Sequence, residues 1–264
     1  MRKFPVILPW LFLFSACASV GGKPAFPSAG KEEAAPGGLW STVPAGGKLV
    51  IIGAAGRQIK REDAVMLALE DAARKAAFFH GIYGYTETFV QTGSSYYDFD
   101  SGKFVEFIYD DEHMNYADRF EFDEKHDVFE EDDSVFVRVR FDGSLGSRVN
   151  FRPTAAGSTP DWIRAPPKDI GGYTAGVGFS LRHSYYKDTV IASYEAAAAS
   201  ILNKLHSRAG SVVGSFEAGG YSDALTLEIQ IAEGFLTEFY VLETWTDPGD
   251  KSVWTLAIAK NGGR

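Results

Sequence analysis

The chain has one cysteine, Cys17, and three methionines in 264 residues. A lone thiol cannot close an internal disulfide, so the fold has to rest on burial without staples. Long apolar runs are missing too. The longest, Phe4 to Phe14, would span about 16 Å as a helix, roughly half of a bilayer core. Pro5 and Pro9 interrupt it further, and no membrane-crossing helix is expected. Positive charge is scarce, with 26 Lys and Arg against 35 Asp and Glu, a net −9. Such a surface is a poor partner for nucleic acid. Catalytic motifs are also missing. The sequence has no G-x-S-x-G elbow, no H-E-x-x-H and no P-loop Lys-Ser/Thr, and His80, His113, His126, His183 and His206 fall in no zinc spacing. No catalytic residue, metal set or cofactor site is predicted.

What the amino terminus does have is Met1-Arg2-Lys3, the short apolar run, and Ser15-Ala16-Cys17. Two cations, a hydrophobic segment and small residues predict a secretory signal over 1–16. Ser15-Ala16-Cys17 resembles the bacterial lipobox, with Phe14 where a Leu is usual and Leu13 one place earlier. The resemblance implies a diacylglyceryl (palmitate-type) anchor on Cys17, which cleavage leaves as the first residue. The alternative is an incidental cysteine in a cleaved signal. Each buried CH₂ contributes about 0.8 kcal/mol, so two or three acyl chains anchor a protein stably. Ala18, rather than Asp, follows the cysteine, which favours the outer membrane. Without Arg2 and Lys3 the balance is 24 basic against 35 acidic side chains, or −11. Residues 17–47 are rich in Gly, Pro, Ala, Ser and Lys and read as a flexible tether.

Beyond the tether the chain repeats itself. "LVIIGAAG" (Leu49 to Gly56) precedes the Ala-rich stretch Arg61 to Phe79, and "TAGVGFSL" (Thr174 to Leu181) precedes Tyr186 to Leu205. Without a gap, Gly53 falls on Gly178, Asp63 on Asp188, and Ala72-Ala73 on Ala197-Ala198. "SVFVRV" (Ser134 to Val139) parallels "SVWTLA" (Ser252 to Ala257). These landmarks predict two units, 48–141 and 172–264, joined by a Gly/Pro-rich linker over 142–171. Val65, Ala68, Leu69, Ala72, Ala76 and Phe79 share one helical face. Val190, Tyr194, Ala197, Ala198, Ile201 and Leu205 share another. Glu70 with Arg74 and Asp71 with Lys75 are i,i+4 pairs expected on the solvent side.

The later segments alternate as strands do. Leu225, Leu227, Ile229 and Ile231 alternate with Thr226, Glu228 and Gln230; Val135, Val137 and Val139 alternate with Arg138 and Arg140; Phe120 and Phe122 alternate with Glu121 and Asp123. Each helix is expected on the dry face of its antiparallel sheet. The predicted fold class is α+β, as two tandem β-α-β-β(-β) units.

Pro160-Asp-Trp-Ile with Pro166-Pro167, the strand ending Val177-Gly178, the Ala-rich helix and "VLETWTD" (Val241 to Asp247) together resemble the small outer-membrane lipoprotein family with the Lpp-twenty-like domain. That family includes FlgP-type flagellar lipoproteins. The likeness runs over about Asp161 to Ala259 and is weaker over Trp40 to Phe141. It implies an acylated, periplasm-facing protein with a structural or assembly role, with envelope or flagellar-motor proteins, or further copies of itself, as partners. It implies no catalytic residues.

Asp98 to Asp133 carries 15 acids against three Lys and Arg. "DFDSG" hints at a calcium loop, but its Gly arrives one place early for an EF-hand. "DSGK" (Asp100 to Lys103) reads as a hairpin turn, with most acids on wet faces. Asp98, Asp100, Tyr109, Asp110, Asp111 and Glu112 form the candidate partner surface, because acids interleaved with aromatics suit a protein partner. A periplasmic module binding a cation, small ligand or peptidoglycan fragment is the second reading. The glycines of "GAAGR" and "GVG" read as tight turns rather than phosphate loops, and Trp40, Trp162 and Trp245 as packing anchors rather than ligand platforms.

Overall fold

The computed structural model describes residues 39–42, 48–93, 100–109, 113–146, 148–155, 158–218 and 221–263. In chain order these form β1 (Leu39–Ser41), β2 (Leu49–Gly56), α1 (Arg61–His80), β3 (Ile82–Gly93) and β4 (Asp100–Tyr109). A 3₁₀ turn (His113–Arg119), α2 (Glu124–Asp127), β5 (Val128–Glu131), β6 (Ser134–Phe141) and α3 (Asp161–Arg164) follow. The chain ends in β7 (Asp169–Ile170), β8 (Tyr173–Ser180), α4 (Tyr186–His206), β9 (Ser207–Ala218), β10 (Tyr221–Thr246) and β11 (Val253–Asn261). The class is α+β, with antiparallel sheets and helices packed on them.

The long helices form where alanine dominates and charge suits the helix dipole. α1 opens with Glu62 and Asp63 and closes on His80; α4 opens with Asp188 and closes on Lys204 and His206. Alanine and glycine let each helix lie close on a strand. A Cβ on Gly53 in β2 would stand 1.9 Å from the Ala68 carbonyl oxygen of α1. The same approach recurs at Gly178 in β8, 2.0 Å from the Ser193 oxygen of α4. The ladders match as well, Gly53 pairing with Val137 and Gly178 with Thr255. Both helices bury the faces their periodicity predicts, apart from half-buried Leu69 and Leu205.

The two segments are interleaved in one compact unit, Ala34 to Arg264. β2-β6-β5 form a small sheet, while the large sheet runs β4-β3-β10-β11-β8-β7, with β1 and β9 also paired to β10. β10 runs the length of the large sheet: this 26-residue strand pairs with β3 and β9 in its first part and with β11 and β1 in its last. Bulges at Thr237/Tyr240 and Val241/Glu243 mark the change of partners. Glu238 turns the first with φ 52°, and its carboxylate accepts from Lys260 at 2.6 Å and from the Tyr173 hydroxyl. The Gly/Pro-rich stretch 142–171 packs Leu145, Val149, Phe151 and Ile163 against the core and buries Trp162.

Four local expectations are corrected. Asp71 and Lys75 are not on a wet side: Asp71 is 6% exposed, because α1 is covered by β2 on one flank and meets Tyr194 of α4 on another. Arg74 pairs with Asp71 instead of Glu70. Asp100 to Lys103 is not a turn but the start of β4, paired with β3 from Gln91 to Thr88. Around Phe120 and Phe122 only a single bridge forms, Glu121 to Arg140, because Phe120 instead packs edge-on against Phe141.

The fourth correction concerns the long sheet. α4 does not cover the Leu225/Leu227/Ile229/Ile231 face; it covers the opposite one, burying Ala232, Leu236 and Ile82 under Ile201 and Leu202. At the base of the strands the expected face carries Glu87, Glu106 and Glu233. The other face offers uncharged residues there. A helix takes the face it can desolvate without burying charge.

Candidate assembly surface

Beyond the helices, β4-β3-β10-β9 form a four-stranded blade. β3 pairs with β10 from Gly93↔Leu225 to Ile82↔Leu236, and β9 from Ala218↔Tyr221 to Ser207↔Ala232. Every pairing is antiparallel and free of register shifts, so alternate positions hold their faces along the whole ladder. By register, Leu225, Leu227 and Ile229 of β10, Phe89 and Gln91 of β3 and Val212 of β9 fall on one face of the ladder. Thr226, Glu228, Gln230, Thr88, Val90, Lys103, Ser211 and Val213 fall on the other.

At the base of the first face the side chains stand in the open. Phe104, Ile108 and Phe235 are 54%, 57% and 40% exposed. Beside them the Tyr85 hydroxyl donates to Glu87 at 2.9 Å, and the Tyr83 hydroxyl donates to Glu233. The opposite face at the base is closed by Phe78, whose ring meets Phe107 at 6.1 Å and Tyr109 at 5.0 Å.

Both edges of the blade are open among the described residues. β4 pairs with β3 alone, and β9 with β10 alone. Since each of the three pairings is antiparallel, β4 and β9 run in opposite directions. Exposed edge N–H and C=O groups are ready to pair with another strand.

The sequence-predicted residues fall unevenly on this frame. Cys17, Asp98, Asp110, Asp111 and Glu112 lie outside the described residues. Asp100 opens β4 opposite Gln91, and Tyr109 closes it, half-buried against Phe78. Several described acids of the segment are braced to cations of the same chain. Glu121 pairs with Lys48, Glu124 with Arg61 at 2.7 Å, and Glu130 with Arg57 at 3.3 Å. Asp127, 1% exposed, holds Arg138 at 2.9 Å and Arg140 at 3.2 Å. Burial by itself raises its pKa; the Asp123 N–H and Arg138 overcome that and hold the carboxyl below its ordinary range.

Two buried clusters stabilise the body under the blade. Asp71 accepts from the Ala54 N–H at 2.9 Å, from the Tyr194 hydroxyl at 3.1 Å, and from Lys75 and Arg74. Lys75 also donates to the Ile52 carbonyl at 2.6 Å. Burial favours the neutral Asp71 acid, but Lys75 and Arg74 outweigh it and keep the pKa low. Burial pushes the Lys75 ammonium's pKa down against the pull of Asp71. The group ties α1, β2 and α4 together. Elsewhere Glu243, fully buried, accepts from the Trp162 indole at 2.6 Å and from the Thr154 N–H and hydroxyl at 2.8 Å each. It brings Pro160-Asp-Trp-Ile onto the strand Val241 to Asp247. Trp162 and Trp245, 7% exposed each, are packing anchors.

Periodicity missed the Asp71 cluster, although one acid followed by Arg74-Lys75 inside an alanine face was a usable sign. An internal cavity beside Lys75, Tyr194 and Tyr240 measures about 40 Å³, room for water and not for a ligand. Among the described residues no three His, Cys, Asp or Glu converge as a metal site, and no helix is long and apolar enough to cross a membrane. No family model, curated protein or solved structure matches the chain.

Proposed function

We propose that this chain is a lipid-anchored envelope protein, held at the outer membrane through Cys17, with a structural and non-catalytic role. It works as an assembly of copies joined edge to edge. One observation carries the reading: the blade has two open edges that run in opposite directions. A β4 edge set beside the β9 edge of the next copy continues the antiparallel ladder. Such a head-to-tail contact repeats until it closes into a ring. The family resemblance points the same way, toward envelope or flagellar-motor assemblies.

The test exploits the alternation of an edge strand, where successive N–H groups point to opposite sides. Of Val212→Pro and Val213→Pro in β9, one removes an inward hydrogen bond and lowers the melting temperature. The other blocks only the outward edge. Light scattering on the acylated wild type is expected to give an oligomer. The outward proline variant is expected to be smaller at unchanged melting temperature. A monomeric wild type at all concentrations refutes the proposal.

A further inference from the structure

The geometry points to a second role for the blade: its apolar face meets the hydrocarbon of a bilayer, and several copies together form a membrane-spanning β-barrel. This rests on the edge-to-edge assembly proposed above and names what covers the apolar face of the blade.

By register along the paired stretches Ala209–Ala218 and Tyr221–Gln230, about ten residues each, the positions of one face are apolar at Val212, Phe216, Leu225, Leu227 and Ile229, with Asp223 as its one charged position. The positions of the other face are mostly polar, at Ser211, Ser215, Glu217, Thr226, Glu228 and Gln230, with Val213 among them. A strand that crosses a membrane in a barrel needs about 9–11 residues, apolar outward and polar inward. A soluble sheet normally hides its apolar face under a helix. Here both long helices lie on the other side, and the apolar face is bare at its base, where Phe104, Ile108 and Phe235 stand exposed.

The ends of the band fit as well. At the base, Tyr83 and Tyr85 share the apolar face with Arg208, Glu87, Glu106 and Glu233. Tyrosines and charges mixed in this way suit the headgroup level. Tyr221 stands at the far end of the same face, and its two other acids, Asp100 and Asp223, stand near the hairpin ends of their strands. The tether allows the approach. About 22 residues separate Cys17 from Leu39, an extended reach of up to about 75 Å.

Lipid on the face makes closure obligatory. An open strand edge in hydrocarbon leaves N–H and C=O groups without partners, at several kcal/mol each, so four strands cannot insert alone. The helices lie on the polar, lumen side. A barrel of about eight strands fills its interior with side chains, so the ring takes more than two copies, with the helices below the membrane.

Once Cys17 is acylated the chain has no free thiol, so a single introduced cysteine is the only labelling site. Cysteines are placed one at a time at Leu225, Thr226, Leu227, Glu228, Ile229 and Gln230 of the full acylated chain. Each is labelled with a small fluorophore in vesicles of phosphatidylethanolamine and phosphatidylglycerol. Quenching by nitroxide-bearing lipid is expected at Leu225→Cys, Leu227→Cys and Ile229→Cys, several-fold above the other three. Those three are expected to react faster with a charged, water-soluble thiol reagent.

Reaction at all six sites without alternation, and no lipid quenching, overturns the proposal. Protection of the apolar sites without lipid quenching overturns it too, and shows a second protein layer there, leaving edge-to-edge assembly intact. Thiol labelling of the unsubstituted chain reports instead that Cys17 carries no lipid, a failure of the anchor and not of the blade.

Discussion

Asp71 links three elements of the body, α1, β2 and α4. It lies inside the protein with two cations around it and the Ala54 N–H and Tyr194 hydroxyl filling its remaining acceptor sites. A buried pair contributes little against an apolar replacement, but breaking one side of it costs about 3–5 kcal/mol, because a charge stays behind unpaired. Asp71→Asn keeps the shape and strands Lys75 and Arg74. Urea unfolding at pH 7 is expected to show a loss of about 3–5 kcal/mol. Its pH dependence follows from the lowered pKa. The folded carboxyl gives up its proton more readily than the unfolded one, whose value is near 3.8. Its stabilisation is therefore complete above that value and fades as the pH falls through the lower, folded pKa. The gap between wild type and Asp71→Asn is expected to narrow as the pH falls below about 3.8.

At the scale of elements, the helix-on-strand contacts were legible before the fold was. The ungapped correspondence of Gly53 with Gly178 and Ala72 with Ala197 proved to be a correspondence of contacts, each glycine lying under the matching turn of its helix. Gly178→Ala pushes a methyl into the Ser193 carbonyl and the Ala197 nitrogen, 2.0 and 2.3 Å from the new Cβ. Such overpacking costs about 1–3 kcal/mol. Gly210→Ala, with nothing within 4 Å, is expected to leave the melting temperature almost unchanged. Less legible was where each alternating strand would find its cover. Period two separates Leu227 from Glu228 but does not say which face a helix chooses. That was settled by Glu87, Glu106 and Glu233 at the strand bases, and charge placement along one face cannot be seen until the register is known. The partnership of Trp162 with Glu243 was equally hidden, since the two stand 81 positions apart. Hidden too were the cations that brace Glu121, Glu124, Asp127 and Glu130 in the acidic segment, since Lys48, Arg57, Arg61, Arg138 and Arg140 come from elsewhere in the chain.

At the scale of the whole molecule, blade and body share β10 but little else. Among the described residues, α1 and α4 touch the blade near its base, through Phe78, Tyr194 and Leu202 against Ile82, Phe107 and Ala232 and through Asn203 to the Thr86 hydroxyl. Cutting the first hairpin between Thr88 and Lys103 and the second between Gly210 and Ile229, each closed by Asn-Gly, removes the distal blade with the ladder still in register. The trimmed chain is expected to melt in one transition, seen alike by near- and far-ultraviolet circular dichroism. Non-coincident curves mean that the body needs the distal strands to fold.

The single covalent strand from Tyr221 to Thr246 also has a mechanical consequence. A pull on the blade tip enters the body along the backbone itself, without crossing a loop. In the body, the hydrogen bonds of β10 to β11 lie across that line of force. They must yield together, in shear, rather than unzip one by one. The two bulges interrupt that ladder, and Lys260 grips the one at Glu238 from the neighbouring strand. A load on the blade is therefore passed to the body as strain, not absorbed as motion.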